Sequence, residues 1–167
     1  PRQVVQHDTV DLGALYAYTA IDIFTKEPIV VIADDLLSQT AVAAFSVGSD
    51  YFGPVEVHQS DEGPEFMGDF PAAITASGAR HRYARPYKKN DQAYIENFNR
   101  SLRSECVGWG KYNTQDKDWR QARVDDWLDH WMHERWHMGL PDMMTPAQFI
   151  ECYNTNQREE RKVAFAL

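Results

Sequence analysis

The chain has 167 residues, of which 43% are hydrophobic and 25% charged, a composition typical of one folded domain and unlike that of a disordered chain. It contains no apolar run of the roughly 20 residues that a membrane-spanning helix needs and no secretory leader, so we expect no membrane partner. The net charge of −8, taken alone, argues against a nucleic-acid partner, because DNA-binding domains usually carry a basic surface.

The first half of the chain alternates short apolar runs with turn residues. Runs rich in Val, Ile, Tyr and Thr predict an antiparallel meander of three strands over residues 4–9, 15–23 and 28–33. Ser38 is the predicted cap of a helix that extends to about Tyr51, since serine hydroxyls often accept a hydrogen bond from the first helical turn. A short strand and a second helix are predicted next, over 55–58 and 66–77.

The second half predicts one further strand and three helices. A strand over 80–83 leads through a loop to a helix over 92–106, for which Asp91 is the predicted cap. A long amphipathic helix over 118–138 is predicted to present one apolar face, made of Val124, Trp127, Leu128, Trp131 and Met138. Thr145 and Pro146 then start a last short helix that ends near Ile150. This order of elements predicts an α/β fold with a central sheet.

Charge is distributed unevenly along the chain. Residues 1–79 contain two basic and twelve acidic side chains, whereas residues 80–103 contain seven basic and two acidic ones. A short basic stretch of this kind can face DNA phosphates. It can equally be a solvated surface run, and its charge alone does not decide between the two.

Three carboxylates occupy positions that suit a metal site. Asp8 lies in the first predicted strand, Asp61 directly follows the fourth, and Glu96 lies in the first turns of the helix after the basic stretch. A carboxylate in an apolar strand is costly to bury unless a cation compensates its charge, and hard oxygen ligands suit Mg²⁺ or Mn²⁺. Asp11 and Asp22 compete with Asp8, although Asp11 precedes a turn and Asp22 lies at a strand exit. Among 25 acidic residues many such triples exist, so position alone does not identify the site.

The spacing of these carboxylates resembles the D,D-35-E signature of retroviral integrases and insertion-sequence transposases. Asp61 follows Asp8 by 53 positions, and Glu96 follows Asp61 by 35. Further blocks resemble that family in the same order. They are residues 18–22 (YTAID), 60–66 (SDEGPEF), 85–87 (RPY), 95–102 (IENFNRSL), 134–140 (ERWHMGL) and 145–149 (TPAQF). The resemblance covers residues 4–151, which is nearly the whole chain.

Three features depart from the family pattern. Only 34 residues lie between Asp61 and Glu96, Glu62 stands where asparagine is common, and Ala93 stands where many members have a loop glycine. A deletion of one loop residue is easily absorbed, and none of these changes removes a predicted metal ligand.

The resemblance implies an RNase H-like fold, with a central five-stranded mixed sheet flanked by helices. In that fold the first and fourth strands are neighbours, so Asp8 is expected beside Asp61. The integrase catalytic core is expected over residues 1–151, followed by a C-terminal tail over 152–167. Terminal domains of the full protein are expected to lie outside this chain.

The resemblance also implies a polynucleotidyl transferase and endonuclease that processes mobile-element DNA ends and joins them to target DNA. Its cofactor would be Mg²⁺ or Mn²⁺, with two ions held by Asp8, Asp61 and Glu96. DNA and further copies of the chain, in a homo-oligomer, would be its partners. The predicted DNA-binding residues are basic and amide side chains before and along the Glu96 helix: Lys88, Lys89, Gln92, Asn99, Arg100 and Arg103.

Other interpretations remain open at this point. The same fold also suits a non-catalytic DNA-binding or assembly module, or an RNase H-like nuclease acting on RNA–DNA hybrids. His130, His133 and His137 share part of a helix face, but without an HExxH pattern we expect packing or exposed roles rather than zinc binding. Two cysteines without a CxxC pair favour a reducing, intracellular setting. The resemblance implies a cytoplasmic location, at the nucleoid or other DNA.

Overall fold

A computed structural model describes residues 1–85, 88 and 90–165, and its centre is one mixed sheet. The strands are β1 (Val4–Asp11), β2 (Tyr16–Asp22), β3 (Pro28–Ala33), β4 (Val57–Ser60) and β5 (Arg80–Tyr83). They lie in the order β3-β2-β1-β4-β5. The β1–β2 and β2–β3 pairs are antiparallel, whereas β4 pairs in parallel with both β1 and β5. The predicted five-stranded mixed sheet is therefore confirmed, as is the pairing of the first and fourth strands.

Five α-helices surround the sheet in the described part of the chain. They are α1 (Ser38–Phe52), α2 (Asp69–Ala76), α3 (Ala93–Ser101), α4 (Lys117–His133) and α5 (Pro146–Phe165). A π-helical turn, Leu102–Val107, continues α3. Short 3₁₀ turns occupy Pro64–Phe66, Thr114–Asp116 and Pro141–Met143. None of the described helices is long and apolar enough to cross a membrane.

Alternate strand residues supply two apolar layers, one on each face of the sheet, as the period-two geometry of strands requires. On one face Val10 and Ile21 pack with Ile95 and Phe98 of α3 and with the buried Trp131 of α4. On the other face side chains of α1 and α2 pack around the sheet residue Tyr18. The buried indole of the α4 tryptophan also donates a hydrogen bond of 2.9 Å to the Lys26 carbonyl. The predicted core role of the α4 apolar face is confirmed there.

The predicted helix caps Ser38 and Asp91 are both wrong, because each side chain forms a tertiary hydrogen bond instead of capping its helix. Leu37 occupies the N-cap of α1, and the Ser38 hydroxyl instead donates to the Met67 carbonyl at 2.5 Å. Gln92 occupies the N-cap of α3. The Asp91 carboxylate instead accepts two hydrogen bonds of 2.9 Å from the Arg85 guanidinium.

Two predicted helix ends are also wrong. Helix α4 ends at His133 because the following segment turns back, which brings the His137 ring to 4.5 Å from that of Trp131. Met138, predicted on the packed face, is 93% exposed. Helix α5 continues to Phe165 rather than ending near Ile150, since residues 151–165 contain no glycine or proline to stop it. It thus runs through the predicted boundary between core and tail.

Strand β3 is an edge of the sheet, and a side chain covers its outer backbone. The Gln121 amide of α4 accepts a hydrogen bond of 2.8 Å from the Ile32 N–H. The same amide donates one of 3.1 Å to the Val30 carbonyl. One glutamine therefore satisfies two backbone groups that the sheet leaves unpaired.

Candidate active site

The register between β1 and β4 brings the first two predicted carboxylates together. Gln6 lies opposite Gln59, so continuing the pairing by two residues sets Asp8 opposite Asp61. Asp8 is partly buried, whereas Asp61 lies just past the end of β4 and is exposed. The Asp61 carboxylate accepts a hydrogen bond of 3.0 Å from the Gly63 N–H, which fixes the turn that follows. Two neighbouring carboxylates thus lie where β4 ends beside β1, at an edge of the sheet that is open to solvent and is formed by strand ends rather than by an outer strand.

Asp8 lies in an environment that opposes its ionisation. Burial is the largest cause, and together with the nearby charges of Asp61 and Glu65 it raises the pKa of Asp8 to about 6. Hydrogen bonds from the Thr9 N–H at 2.7 Å and the Asn99 amide at 2.8 Å act in the opposite direction. A strongly shifted carboxylate at a solvent-facing edge is typical of functional sites.

Buried glutamines hold the start of α3 against the two central strands. The side-chain amides of Gln6 and Gln59 each donate to the Asp91 carbonyl at 2.5 Å. The Gln6 side-chain carbonyl also accepts a hydrogen bond of 3.1 Å from the Ile95 N–H. Because Gln6 and Gln59 lie on neighbouring strands, this network fixes α3 relative to the edge that bears the carboxylates.

Glu96 lies on the face of α3 that turns towards this edge. The Gln92 amide, four residues earlier, donates to the His7 carbonyl at 3.4 Å, and Asn99, three residues later, binds Asp8. Residues at these spacings share one helix face, so Glu96 projects beside the site. Its side chain is exposed. In the part of the chain that the structure describes, no group of three or more His, Cys, Asp or Glu side chains is already arranged around a common metal position.

Five of the six predicted DNA-binding residues are described, and they divide into three groups. Lys88 and Arg100 are exposed, and Lys89 lies outside the described residues. The Arg103 guanidinium donates to the carbonyls of Asp11 and Gly108. Gln92 and Asn99 are buried, with their amides bound to β1. Among these five residues, only Lys88 and Arg100 have side chains that make no hydrogen bond to the described part of the protein. All six DNA contacts stay predictions.

The donor set around Asp8 and Asp61 fits a hard divalent cation. Among the described residues, two buried oxygens beside Asp8 and Asp61, Asn99 Oδ1 and Glu65 Oε2, accept no hydrogen bond. Buried oxygens without a donor are costly, and a cation satisfies them in the way that a donor does. Carboxylate and amide oxygens are the ligands that Mg²⁺ and Mn²⁺ prefer.

The competing candidates have other roles. Asp22 is fully buried and binds Arg2 and the turn after β2, whereas Asp11 accepts a hydrogen bond from the Gly13 N–H. His130 and His133 lie beside acidic side chains one helical turn away on the surface of α4. These positions agree with the structural roles that the sequence favoured for the histidines.

Sequence reasoning missed two parts of the site. Glu65 was only one letter of a matching block, and its burial was not foreseen. The glutamine network has no local signal either, since Gln6 and Gln59 are polar residues in strands whose partners lie on a distant loop. The sequence feature that could have indicated both Glu65 and the two glutamines is a long polar side chain within an otherwise apolar segment.

Comparison with known proteins adds to this geometry. An integrase core domain model matches residues 77–146. An uncharacterized 39.2 kDa protein of insertion element IS476 from Xanthomonas euvesicatoria is 30% identical over 143 residues, which are 83% of this chain and 40% of that protein. The catalytic core domain of BIV integrase superposes with a TM-score of 0.73 at 16% identity, covering 94% of this chain and 99% of its own. The HTLV-2 integrase catalytic core domain in complex with magnesium, in its trimeric form, superposes with a TM-score of 0.68 at 16% identity, covering 89% and 96%.

These comparisons support a DDE-type integrase or transposase core. At 16% identity the two viral structures show the fold alone, and they confirm the predicted RNase H-like fold. The chain spans less than half the length of the insertion-element protein.

Proposed function

We propose that this chain is the catalytic core of an enzyme that cuts mobile-element DNA at its ends and joins those ends to target DNA. The observation that carries the proposal is the parallel pairing of β1 with β4, which reaches Gln6 opposite Gln59 and leaves Asp8 close enough to feel the charge of Asp61. Helix α3 is hydrogen-bonded to β1 through Gln92 and Asn99, which share a helix face with Glu96, and this supports a role for Glu96 at the same site. Water attacks the terminal phosphodiester first, and the freed 3′-hydroxyl then attacks a phosphodiester of the target.

Asp8, Asp61 and Glu96 would hold Mg²⁺ or Mn²⁺, with two ions in the active complex. When bound, such ions activate the attacking oxygen and stabilise the leaving oxygen. The chain's own contribution is to position the ligands. Asn99 orients the Asp8 carboxylate through its hydrogen bond of 2.8 Å, and the glutamine network fixes the helix that carries Glu96.

DNA would approach across the exposed edge near Asp61. Lys88, Lys89, Arg100 and Arg103 would contact phosphates, which position the duplex without reading its sequence. The predicted contacts of Gln92 and Asn99 require a rearrangement of buried amides, so we assign them to positioning first. A homo-oligomer is part of the proposal, and so is a location on DNA in the cytoplasm. A trimeric form of a viral neighbour supports the homo-oligomer.

The experiment compares Asp61→Asn with Glu62→Gln in a DNA cleavage and joining assay with Mg²⁺ or Mn²⁺. The substrates are labelled duplexes that carry the ends of the element encoding this chain, and the enzyme is the full-length protein. Asp61→Asn should abolish cleavage and joining, whereas Glu62→Gln, which removes an exposed neighbouring charge, should keep both.

Two outcomes contradict the proposal. An Asp61→Asn protein that still cuts and joins DNA at the wild-type rate removes its basis. A wild-type protein that binds DNA but never cuts it supports the non-catalytic assembly module instead. Cleavage of an RNA–DNA hybrid without any joining of DNA ends supports the RNase H-like nuclease.

A further inference from the structure

Glu65 is a buried carboxylate that the function proposed above does not use. It lies in the 3₁₀ turn Pro64–Phe66, directly after the Asp61 turn, and only 6% of its surface is exposed. Within residues 1–85, 88 and 90–165, its Oε2 atom has no hydrogen-bond partner. A buried carboxylate oxygen with no donor is among the more costly features of a fold. Its retention calls for a ligand that is absent from the described structure.

The unpartnered oxygen faces the metal-binding edge. A methyl group placed on Gly63 would lie 2.8 Å from Glu65 Oε2 and 3.0 Å from Asp61 Oδ1. The two carboxylate oxygens therefore border the same small volume, which stays open only because residue 63 is a glycine. The charge of Glu65 also reaches Asp8, where it adds to that of Asp61.

A purely structural role does not explain this arrangement. Structural carboxylates in this chain have donors: Asp22 accepts hydrogen bonds from Arg2 and from the turn after β2, and Asp91 accepts them from Arg85. Glu65 instead keeps an oxygen without a donor close to Asp61, and its charge also acts on Asp8. A cation between these carboxylates turns their repulsion into attraction.

We propose that Glu65 is a ligand of the divalent cation held by Asp8 and Asp61. This inference rests on the metal site of the proposed function. It assigns a three-carboxylate set, Asp8, Asp61 and Glu65, to the first ion and leaves the exposed Glu96 to complete the site when DNA is bound. Since no three of these side chains already surround one position in the described part of the chain, the three carboxylates would close around the first ion, and the metal-free protein would bind that ion before DNA arrives.

The test is calorimetric titration of Mn²⁺ into the DNA-free, full-length protein, with Glu65→Gln, Glu62→Gln and Asp61→Asn compared with the wild type. Glutamine keeps the shape of the side chain and removes its charge. We expect Glu65→Gln to weaken Mn²⁺ binding by about tenfold or more, a loss typical of metal-site side chains. Glu62→Gln is the matched control, because it removes an exposed charge three residues away, and its affinity should stay within about twofold of the wild type.

The outcomes separate the two proposals. If Asp61→Asn loses Mn²⁺ binding while Glu65→Gln binds like the wild type, the Glu65 inference is overturned and the proposed function stands. If the DNA-free wild-type protein binds no Mn²⁺ at all, the Glu65 inference is overturned, and the DNA cleavage and joining assay decides the proposed function separately. Circular dichroism checks that each variant is folded. Should Glu65→Gln not fold, Glu65→Asp decides: it keeps the charge but shortens the reach, so weaker Mn²⁺ binding supports direct ligation and wild-type affinity overturns it.

Discussion

Replacing Asp8 by asparagine tests whether this carboxylate is held in an unfavourable charged state without metal. The pKa of Asp8 is raised from an ordinary value of 3.8 to about 6, so the folded protein holds this proton more tightly than the unfolded chain does. The ionised side chain therefore destabilises the fold as pH rises through the window from about 4 to 6. At about 1.4 kcal/mol for each pKa unit, the full contribution is about 3 kcal/mol.

Asparagine has the same shape but no charge. Its side-chain carbonyl can keep the hydrogen bond from the Thr9 N–H. Its new N–H₂ group can donate to Asn99 Oδ1, otherwise unpaired among the described residues, once the Asn99 amide turns over, since its N–H₂ group now faces Asp8. The main loss is thus the charge. We expect the metal-free Asp8→Asn protein to gain about 2 to 3 kcal/mol of unfolding free energy, relative to the wild type, between pH 4 and pH 7.5.

Urea unfolding followed by circular dichroism at the two pH values gives this difference. Packing changes caused by the substitution cancel because they are independent of pH, and the other titrating groups are common to both proteins. Added Mg²⁺ should then stabilise the wild type and leave Asp8→Asn unchanged. A difference in unfolding free energy that is the same at pH 4 and pH 7.5 would refute the assignment of a strained carboxylate.

Three further predictions concern metal binding, the buried histidine His58 and DNA binding. Stabilisation of the wild type by Mg²⁺ should increase from pH 5 to pH 7, because the cation must displace the proton that Asp8 holds at lower pH; a melting-temperature shift that is constant over this range contradicts it. Burial lowers the pKa of His58 to about 4 from 6.5, because the folded protein favours the neutral ring. The contribution of His58 to the unfolding free energy is therefore complete above pH 6.5 and is lost as the pH falls towards 4. We expect the Asp8→Asn protein, which lacks the opposing effect of Asp8, to lose at least about 3 kcal/mol of unfolding free energy over that window, because burial also lowers the pKa of His7, His81 and His137; equal urea midpoints at both ends would count against this. Arg103→Ala should weaken DNA binding in a salt-dependent way without changing metal affinity, and should cost about 1 kcal/mol of stability because two backbone carbonyls lose their donor. Arg100→Ala, at an exposed position, should weaken DNA binding without that cost; filter binding at two salt concentrations and urea unfolding measure both, and unchanged DNA affinity in the two variants rejects the proposed phosphate contacts.

The sequence was informative where structure depends on local pattern. Strands β3 and β5 begin and end where the alternation and the turn residues predicted, because each is a short run bounded by strong breaks. The neighbouring positions of β1 and β4 came instead from the resemblance to integrases. Nothing in the local sequence indicates which strands pair in parallel, since that depends on contacts between residues more than 50 positions apart.

The site was less predictable than the sheet. Its three carboxylates are predicted from their spacing, whereas side chains that the sequence assigned to other roles hold the surrounding elements together. Asp91 was expected to cap a helix and instead pairs with Arg85, while its carbonyl anchors two glutamines. Such choices depend on which donors and acceptors come together after folding, and a capping preference of about 1 kcal/mol is easily outweighed by a bidentate ion pair combined with tertiary packing.

The hydrogen bonds of Gln121 limit how copies of this chain can associate. An edge strand with free N–H and C=O groups recruits other strands, whether from a partner or from a misfolded neighbour. Here one side chain from α4 occupies the Ile32 donor and the Val30 acceptor, the two groups that an incoming strand would need first. Sheet extension across β3 is thereby blocked, and β5 is left as the other edge strand of the sheet. Gln121 thus protects the β3 edge from the open-ended stacking of strands that leads to fibres.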